Sequence, residues 1–275
     1  MRASYRVRQN FRYAYPGPIY DLRHRLVVAP PLVYGDQRLL AHDLTVASPV
    51  GIRWDYDRFG NSIATVDAEH IAEAVEFAYE ATIERIAGDL PKVPARWLDD
   101  SLYRGPSTLT VPSKALRDAA AWLRASSHDP YTLAERINDF VARHMRYVAG
   151  ATSVTTTAAQ AYAQAAGVCQ DYAHVMIALA RECGLPARYV SGHLIGEGGT
   201  HAWVEVLGRS CEPGSAVVWA FDPTHRRRTS LDYVFIAAGR DFADVTPTSG
   251  RFVAPYIGEF TADRSVELID IEYAA

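Results

Sequence analysis

The stretch Gly167-Val168-Cys169-Gln170-Asp171-Tyr172-Ala173-His174 places a cysteine where a helix is expected to begin, and Gly184-Leu185-Pro186 is a typical signal for that helix to end. A cysteine in the first helical turn lies at the positive end of the helix dipole, beside backbone N–H groups that have no partner within the helix. Both effects favour thiolate over thiol. The stretch therefore predicts a nucleophile at Cys169.

Two further motifs supply partners for such a nucleophile. His201-Ala202-Trp203-Val204-Glu205 begins a predicted strand, and Trp219-Ala220-Phe221-Asp222-Pro223-Thr224 ends the next one. An imidazole can take the proton of a thiol, and a carboxylate can hold the other ring nitrogen and fix its tautomer. One helix and two adjacent strands can bring these groups together, so we expect Cys169, His201 and Asp222 to form a catalytic triad.

The first hundred residues have a different pattern, which is typical of antiparallel β-structure. Tyr5, Val7, Gln9, Phe11 and Tyr13 alternate with polar residues, as in a strand with one buried face. Short apolar runs separated by Pro and Gly turns follow, and the parity of apolar residues in 71–86 also predicts a strand.

Beyond a proline-rich segment the apolar period becomes helical. Ser113 is predicted to cap one helix, and Thr132-Leu133-Ala134-Glu135 is read as the capping box of a second. Further strands are predicted after the helix that begins at Cys169. We therefore expect an α+β fold with an N-terminal antiparallel β-sandwich-like domain at 1–100 and a catalytic domain at 101–275, its helices packed on an antiparallel sheet.

Composition excludes several classes of protein. Of the 275 residues 49% are hydrophobic and 22% are charged, which is ordinary for a folded protein. The net charge of −4 argues against a nucleic-acid partner, and no apolar run approaches the roughly 20 residues that span a bilayer. The first residues lack an apolar signal segment, and three cysteines cannot form a disulfide framework, so we expect a cytoplasmic protein without a membrane partner.

The three motifs together resemble the bacterial transglutaminase-like superfamily, a group of papain-like cysteine enzymes. Arg188-Tyr189-Val190-Ser191-Gly192 and the segment 238–245 also fit, and the first hundred residues look like the N-terminal β-domain of this bacterial subgroup. The resemblance implies that Cys169 is the nucleophile, His201 the general base and acid, and Asp222 the orienting residue. The sequence departs from the usual pattern at 223–228 and at His193, which leaves the substrate open and the triad intact.

The sequence also offers candidates for the donors that stabilise an oxyanion and for the walls of the cleft. The backbone N–H of Cys169 is one natural donor. Gln164, five residues earlier, is a candidate for the second donor, as a glutamine is in papain-like enzymes. Trp203 shares a strand face with His201, so it either walls the cleft or belongs to the core. The glycine-rich segment 196–200 directly before His201 is predicted to be mobile.

The expected reaction is acyl transfer from an amide or peptide bond through a thioester on Cys169, without a cofactor or metal. A zinc site built from Cys169, His174, His193 and His201 is disfavoured because their spacing matches no common ligand pattern. Cys183 and Cys211 are expected to be inert or merely exposed. Water as acceptor gives a peptidase or amidase, the favoured outcome; an amine co-substrate gives a transglutaminase or amide synthase. A non-catalytic binding or scaffold module is the alternative of another class.

Overall fold

The computed structural model describes residues 1–47, 50–88 and 90–273. The strands are β1 Arg2–Ala14, β2 Ile19–Leu26, β3 Val33–Tyr34, β4 Gln37–Val46, β5 Gly51–Tyr56, β6 Ser62–Ile71, β7 Ala74–Ile86, β8 Lys92–Pro94, β9 Arg146–Tyr147, β10 Ala166–Gly167, β11 Ala187–Leu194, β12 His201–Arg209, β13 Ser215–Asp222, β14 Arg227–Arg228, β15 Tyr233–Gly239, β16 Thr248–Val253 and β17 Glu259–Glu272. The α-helices are α1 Ser101–Arg104, α2 Lys114–Ala125, α3 Pro130–His144, α4 Ala158–Gln164 and α5 Cys169–Glu182; short 3₁₀ turns lie at Ala95–Leu98 and Phe242–Asp244.

Two antiparallel sheets form a sandwich in the N-terminal part of the chain. One sheet has the strand order β17-β1-β7-β4-β3 and the other β16-β2-β6-β5. The period-2 pattern of β1 buries Tyr5, Val7 and Phe11 between them. The sheets meet through aromatic side chains, and the ring of His24 stacks on Phe77 with 4.4 Å between centroids. The predicted strand within 71–86 is confirmed by β7.

The last two strands belong to this sandwich by hydrogen bonding. β17 pairs with β1 along its length, and β16 pairs with β2. Strand β8 lies before residue 100, but it pairs with β13, which lies after residue 100. The division into 1–100 and 101–275 stays a prediction, but strand pairing crosses it in both directions.

The second unit is an antiparallel sheet covered by helices, which confirms the predicted α+β fold class. The sheet order is β14-β13-β12-β11-β15. Helix α5 lies against β11 and β12 and is surrounded by α2, α3 and α4. Every residue of α5 from Gln170 to Arg181 is buried. This central position fixes the start of α5 relative to the edges of the sheet.

The helix boundaries follow their capping residues. Ser113 caps α2 as predicted, because its hydroxyl accepts the N–H of Leu116. The capping box at Thr132-Glu135 is wrong: α3 begins at Pro130, and the carboxylate of Asp129 accepts the N–H of Thr132 at 2.8 Å. Asp is a good N-cap and Pro suits the first helical position. Asp129 and Pro130 therefore start α3 before Thr132, the predicted cap.

Among the described residues no helix is long and apolar enough to cross a membrane.

Candidate active site

The N-terminus of α5 is held in place by a buried carboxylate. Oδ2 of Asp171 accepts the backbone N–H of Val168 at 2.8 Å and the hydroxyl of Thr152 at 2.6 Å. A side chain at Gly167 would overlap this carboxylate, so only glycine fits there. Burial raises the pKa of Asp171, although these hydrogen bonds oppose the shift. Cys169 follows as the first residue of α5, with its side chain half-buried.

His201 and Asp222 form a buried pair at adjacent strand ends. Nε2 of His201 lies 2.7 Å from Oδ2 of Asp222, and both side chains are almost wholly shielded from solvent. The same oxygen accepts the hydroxyl of Tyr233 at 2.6 Å, and Oδ1 accepts the backbone N–H of Thr224 at 2.9 Å. Burial tends to raise the pKa of Asp222, but the hydrogen bond and charge of His201, with the other donors, hold it well below its ordinary value.

Cys169 interacts with the imidazole of His201 and influences its pKa. Burial by itself lowers the pKa of His201, but the hydrogen bonds to Asp222 and to the Cys169 sulfur raise it to about 10 from its ordinary 6.5. Nε2 is engaged by Asp222, so exchange of a proton with Cys169 requires Nδ1, which Glu197 also contacts. The structure thus brings the three residues of the sequence-predicted triad together.

Two ionisable residues complete this cluster, and no sequence motif predicts a role for either. Nδ1 of His225 lies 2.8 Å from Oδ2 of Asp222, and Nε2 of His225 lies 3.0 Å from Oε1 of Glu197. Oε2 of Glu197 in turn lies 3.1 Å from Nδ1 of His201. Signals for both were present in the sequence, since His225 lies in the segment that departs from the family pattern and Glu197 lies in the glycine-rich segment.

Gln164 and Trp203 occupy different surroundings. Gln164 is the exposed last residue of α4, and its side chain makes no hydrogen bond within the described part of the chain, so its role as an oxyanion donor stays a prediction. Trp203 is buried in a small apolar cluster with Tyr233 and Phe235. Its ring also faces His201, with 6.4 Å between centroids. Trp203 is therefore a core residue that shields one side of the imidazole.

His174 and His193, the remaining histidines of the disfavoured zinc site, are both buried, and each has a hydrogen-bond partner of its own. Nε2 of His174 accepts the backbone N–H of Phe242 at 3.1 Å, and Nδ1 of His193 lies 3.2 Å from the carbonyl oxygen of Gly199. Burial lowers the pKa of each to about 4.

A different group, His201, Asp222 and His225, has ligand atoms within 4.8 Å of one another. These are zinc-type donors. In the structure, however, both imidazoles are hydrogen-bonded to the carboxylate, an arrangement that orients the rings.

The other two cysteines lie elsewhere. Cys183 caps the C-terminus of α5, and its thiol donates to the carbonyl oxygen of Ala120 at 3.4 Å. Burial raises the pKa of this thiol to about 11, which suppresses its reactivity. Cys211 is exposed. That Cys183 and Cys211 are inert or merely exposed stays a prediction.

Two family models match regions of this chain. Residues 117–219 match the transglutaminase-like superfamily, and residues 5–84 match the bacterial transglutaminase-like N-terminal region. The fold matches the 1.9 Å crystal structure of a protein of Cytophaga hutchinsonii provisionally described as a cysteine protease; the TM-score is 0.78, at 24% identity, over 100% of this chain and 93% of that one. At this identity the likeness establishes the fold alone.

Curated relatives include uncharacterised mycobacterial proteins. One from Mycobacterium leprae is 32% identical over 138 residues, which are 46% of this chain and 47% of the relative. One from Mycobacterium bovis is 34% identical over 158 residues, 52% of this chain and 50% of the relative. The chain matches only about half the length of these relatives. With a cysteine at the start of α5 beside a buried His–Asp pair, and with both family regions matched, the chain belongs to the transglutaminase-like superfamily and carries its bacterial N-terminal region.

Proposed function

We propose that this protein is a cysteine-dependent acyl-transfer enzyme that acts on amide or peptide bonds, with Cys169, His201 and Asp222 as its triad. The observation that carries the proposal is the buried His201–Asp222 pair: a hydrogen bond of 2.7 Å engages Nε2, while the Cys169 sulfur at the N-terminus of α5 acts on the same imidazole. The raised pKa of His201 supports a thiolate–imidazolium ion pair, which is the reactive form of a cysteine nucleophile.

The reaction begins with attack of the Cys169 thiolate on the carbonyl carbon of the substrate. The carbonyl π-electrons move to oxygen, and the resulting oxyanion can accept the backbone N–H of Cys169, which has no acceptor within the helix because the helix starts there. Collapse of this intermediate breaks the C–N bond, and Nδ1 of His201 delivers its proton to the leaving amine. A thioester on Cys169 remains.

The second half of the reaction releases the acyl group. His201, now neutral at Nδ1, takes a proton from the acceptor as the acceptor attacks the thioester, and the thiolate leaves. We favour water as the acceptor, which makes the enzyme a peptidase or amidase of peptide, protein or small amide substrates. An amine acceptor would make it a transglutaminase or amide synthase through the same intermediate.

Intact-mass spectrometry tests this proposal. Wild type and Cys169→Ala are incubated with a mixed library of peptides and primary amides, with and without an added primary amine, and Cys211→Ala is the matched control. We expect an acyl adduct or cleaved product with wild type and with Cys211→Ala, and none with Cys169→Ala. Amine incorporation would select transfer over hydrolysis.

Absence of any adduct or product with correctly folded wild type would argue instead for a binding or scaffold module. Alkylation by iodoacetamide below neutral pH provides a second measurement that needs no substrate. We expect Cys169 to react much faster than a free thiol there, and His201→Asn to abolish the advantage. Equal rates in wild type and His201→Asn would contradict the ion pair.

A further inference from the structure

The hydroxyl of Tyr233 donates to Asp222, and the proposed reaction gives this contact no role. The hydroxyl lies 2.6 Å from Oδ2 of Asp222, and Nε of Arg227 donates to the hydroxyl oxygen at 2.9 Å. Because a guanidinium group can only donate, the single proton of the hydroxyl is directed at the carboxylate. Tyr233 is 1% exposed. The position of this ring therefore influences where the carboxylate that holds His201 can lie.

Packing alone leaves the ring of Tyr233 room to shift. One side of the ring contacts Trp203, with 5.4 Å between centroids. A cavity of about 360 Å³ lies between the sandwich and the second sheet, and Tyr233 and Trp203 both line it. A side chain that borders a cavity has fewer neighbours to fix it than one in a close-packed core. Hydrogen bonds to the backbone that carries the ring are then needed to hold it in place.

The sandwich holds the backbone on both sides of Tyr233. The hydroxyl of Tyr5 on β1 donates to the carbonyl oxygen of Leu231 at 2.8 Å. The side-chain amide of Gln37 on β4 donates to the carbonyl oxygen of Phe235 and accepts its N–H. Strands β1 and β4 lie on either side of β7 in one sheet. Side chains of neighbouring strands thus bind the residues two before and two after Tyr233.

Arg85 on β7 contacts Tyr233 itself. Its Nε and Nη2 donate to the two carboxylate oxygens of Asp36, each at 2.9 Å, and its Nη1 donates to the carbonyl oxygen of Tyr233. Both members of this ion pair are largely buried. A planar guanidinium can bind a carboxylate through two N–H groups and donate a third to a carbonyl, which the ammonium group of lysine cannot do in the same geometry. Arg85 is therefore a rigid link between the sandwich and Tyr233.

We propose that the N-terminal sandwich positions the triad through Arg85. Arg85 fixes the backbone of Tyr233, and the hydroxyl of Tyr233 then orients Asp222. Both Arg85 and Tyr233 are positioning residues, since they act on His201 through this carboxylate. The inference rests on the proposed acyl-transfer function. It gives the sandwich a role in the reaction, although all three triad residues lie in the second unit.

The reactivity of Cys169 at acid pH depends on this arrangement. Below neutral pH the thiolate needs the imidazolium of His201, which Asp222 stabilises. Near pH 9 a thiol ionises without such help, since its ordinary pKa is about 8.5. A displaced Asp222 should therefore slow alkylation of the sulfur at pH 6 and leave it nearly unchanged at pH 9.

The test compares rates of Cys169 alkylation by iodoacetamide at pH 6 and pH 9, in a Cys211→Ser background. Arg85→Met removes the contact with Tyr233 and keeps an apolar side chain. A second variant combines Arg85→Met with Asp36→Asn. It removes the charge that the single variant leaves unpaired, so it keeps the test valid if the single variant fails to fold.

Gln9→Met is the matched control, because it removes a buried hydrogen bond that lies within the sandwich. The amide of Gln9 donates to the carbonyl oxygen of Val28 at 3.3 Å. Its loss should weaken the sandwich without moving the triad. We therefore expect Gln9→Met to follow wild type at both pH values.

We expect Arg85→Met, with or without Asp36→Asn, to slow alkylation about fivefold at pH 6 and less than about twofold at pH 9. This change is of the size that one hydrogen bond supplies. In a Tyr233→Phe background, Arg85→Met should have no further effect, because Arg85 acts only through the hydroxyl of Tyr233.

Equal slowing at both pH values, or the same slowing in Gln9→Met, would show a merely structural role and overturn the proposal. Wild-type rates for the Arg85 variants, or a fivefold effect that persists in the Tyr233→Phe background, would overturn it too. Failure of the proposed function is separate from these outcomes, since His201→Asn would then alkylate at the wild-type rate below neutral pH.

Discussion

Asp222 is the residue on which the candidate site depends most. Its Oδ2 accepts hydrogen bonds from the side chains of His201, His225 and Tyr233. Its Oδ1 accepts hydrogen bonds from two backbone N–H groups in the turn after β13. A buried carboxylate with so many donors stays ionised and keeps both imidazoles oriented. The loss of its charge therefore affects stability as well as reactivity.

Replacement of Asp222 by Asn should destabilise the protein in a pH-dependent way. The pKa of His201 is raised to about 10 from 6.5, so the imidazolium stabilises the fold fully below about pH 6.5 and loses this contribution as pH rises towards about 10. We expect Asp222→Asn to lower the free energy of unfolding by about 3 kcal/mol at pH 6 and by clearly less at pH 10. Urea denaturation at both pH values measures the difference.

Exposed Asp263 provides the matched control, because Asp263→Asn should leave the free energy of unfolding unchanged at either pH. An equal loss for Asp222→Asn at pH 6 and pH 10 would contradict the assigned role of the imidazolium. If the proposed function is right, the variant should also lose catalytic activity by about 10⁴-fold, since its side chain no longer stabilises the charged base.

At the scale of elements, the close approach of β11 and β12 sets the position of His201. The ring of Trp203 on β12 covers the backbone of Gly192 on β11, and the carbonyl oxygen of Val234 on β15 approaches from the other side. This crowding leaves no room for a side chain at position 192. Trp203 therefore stays where it shields the imidazole of His201.

Gly192→Ala should lower the free energy of unfolding by about 3 kcal/mol, since the new methyl group would overlap both Val234 and Trp203. Gly51→Ala is the control: this glycine also lies in a strand, and a side chain there would meet no atom within 4 Å. Chemical denaturation followed by tryptophan fluorescence measures both variants. Equal stability of the two variants would show that the crowding at Gly192 is relieved without cost.

At the scale of the whole molecule, the sandwich covers the β15 edge of the sheet that carries His201 and Asp222. The side-chain amide of Gln37 accepts the N–H of Phe235 at 2.9 Å and donates to its carbonyl oxygen at 2.8 Å. Asn61 does the same for Ala238. These amides act as a substitute for a neighbouring strand along β15. Buried residues of the sandwich and of the helical unit also form one contiguous apolar cluster.

Gln37→Met should lower the free energy of unfolding by about 2 kcal/mol, because two buried backbone groups of Phe235 would lose their partner. Gln164→Met is the matched control and should be neutral, since the Gln164 side chain is exposed and has no hydrogen-bond partner among the described residues. Thermal unfolding of the two variants measures the effect. No difference between them would mean that the amide contacts at β15 are replaced by water.

Local patterns in the sequence were enough to predict the strand periodicity of β1, the cap at Ser113, the helix that begins at Cys169 and the α+β class. These features depend on residues close in the chain, where spacing and capping chemistry decide the outcome. The same local reasoning was wrong for the start of α3, because Asp129 offered a better cap than Thr132. It also found Cys169, His201 and Asp222 as candidates, since each carries its own motif.

Only the tertiary structure brought β17 beside β1, Gln37 against β15, and Glu197 and His225 into contact with His201 and Asp222. None of these contacts follows from the residues next to it in the chain. Strand partners and buried hydrogen bonds are chosen by long-range packing, in which each polar group takes whatever partner the folded core places within reach. The sequence by itself thus determined the elements and the reactive groups, and the assembled fold decided which groups can exchange a proton.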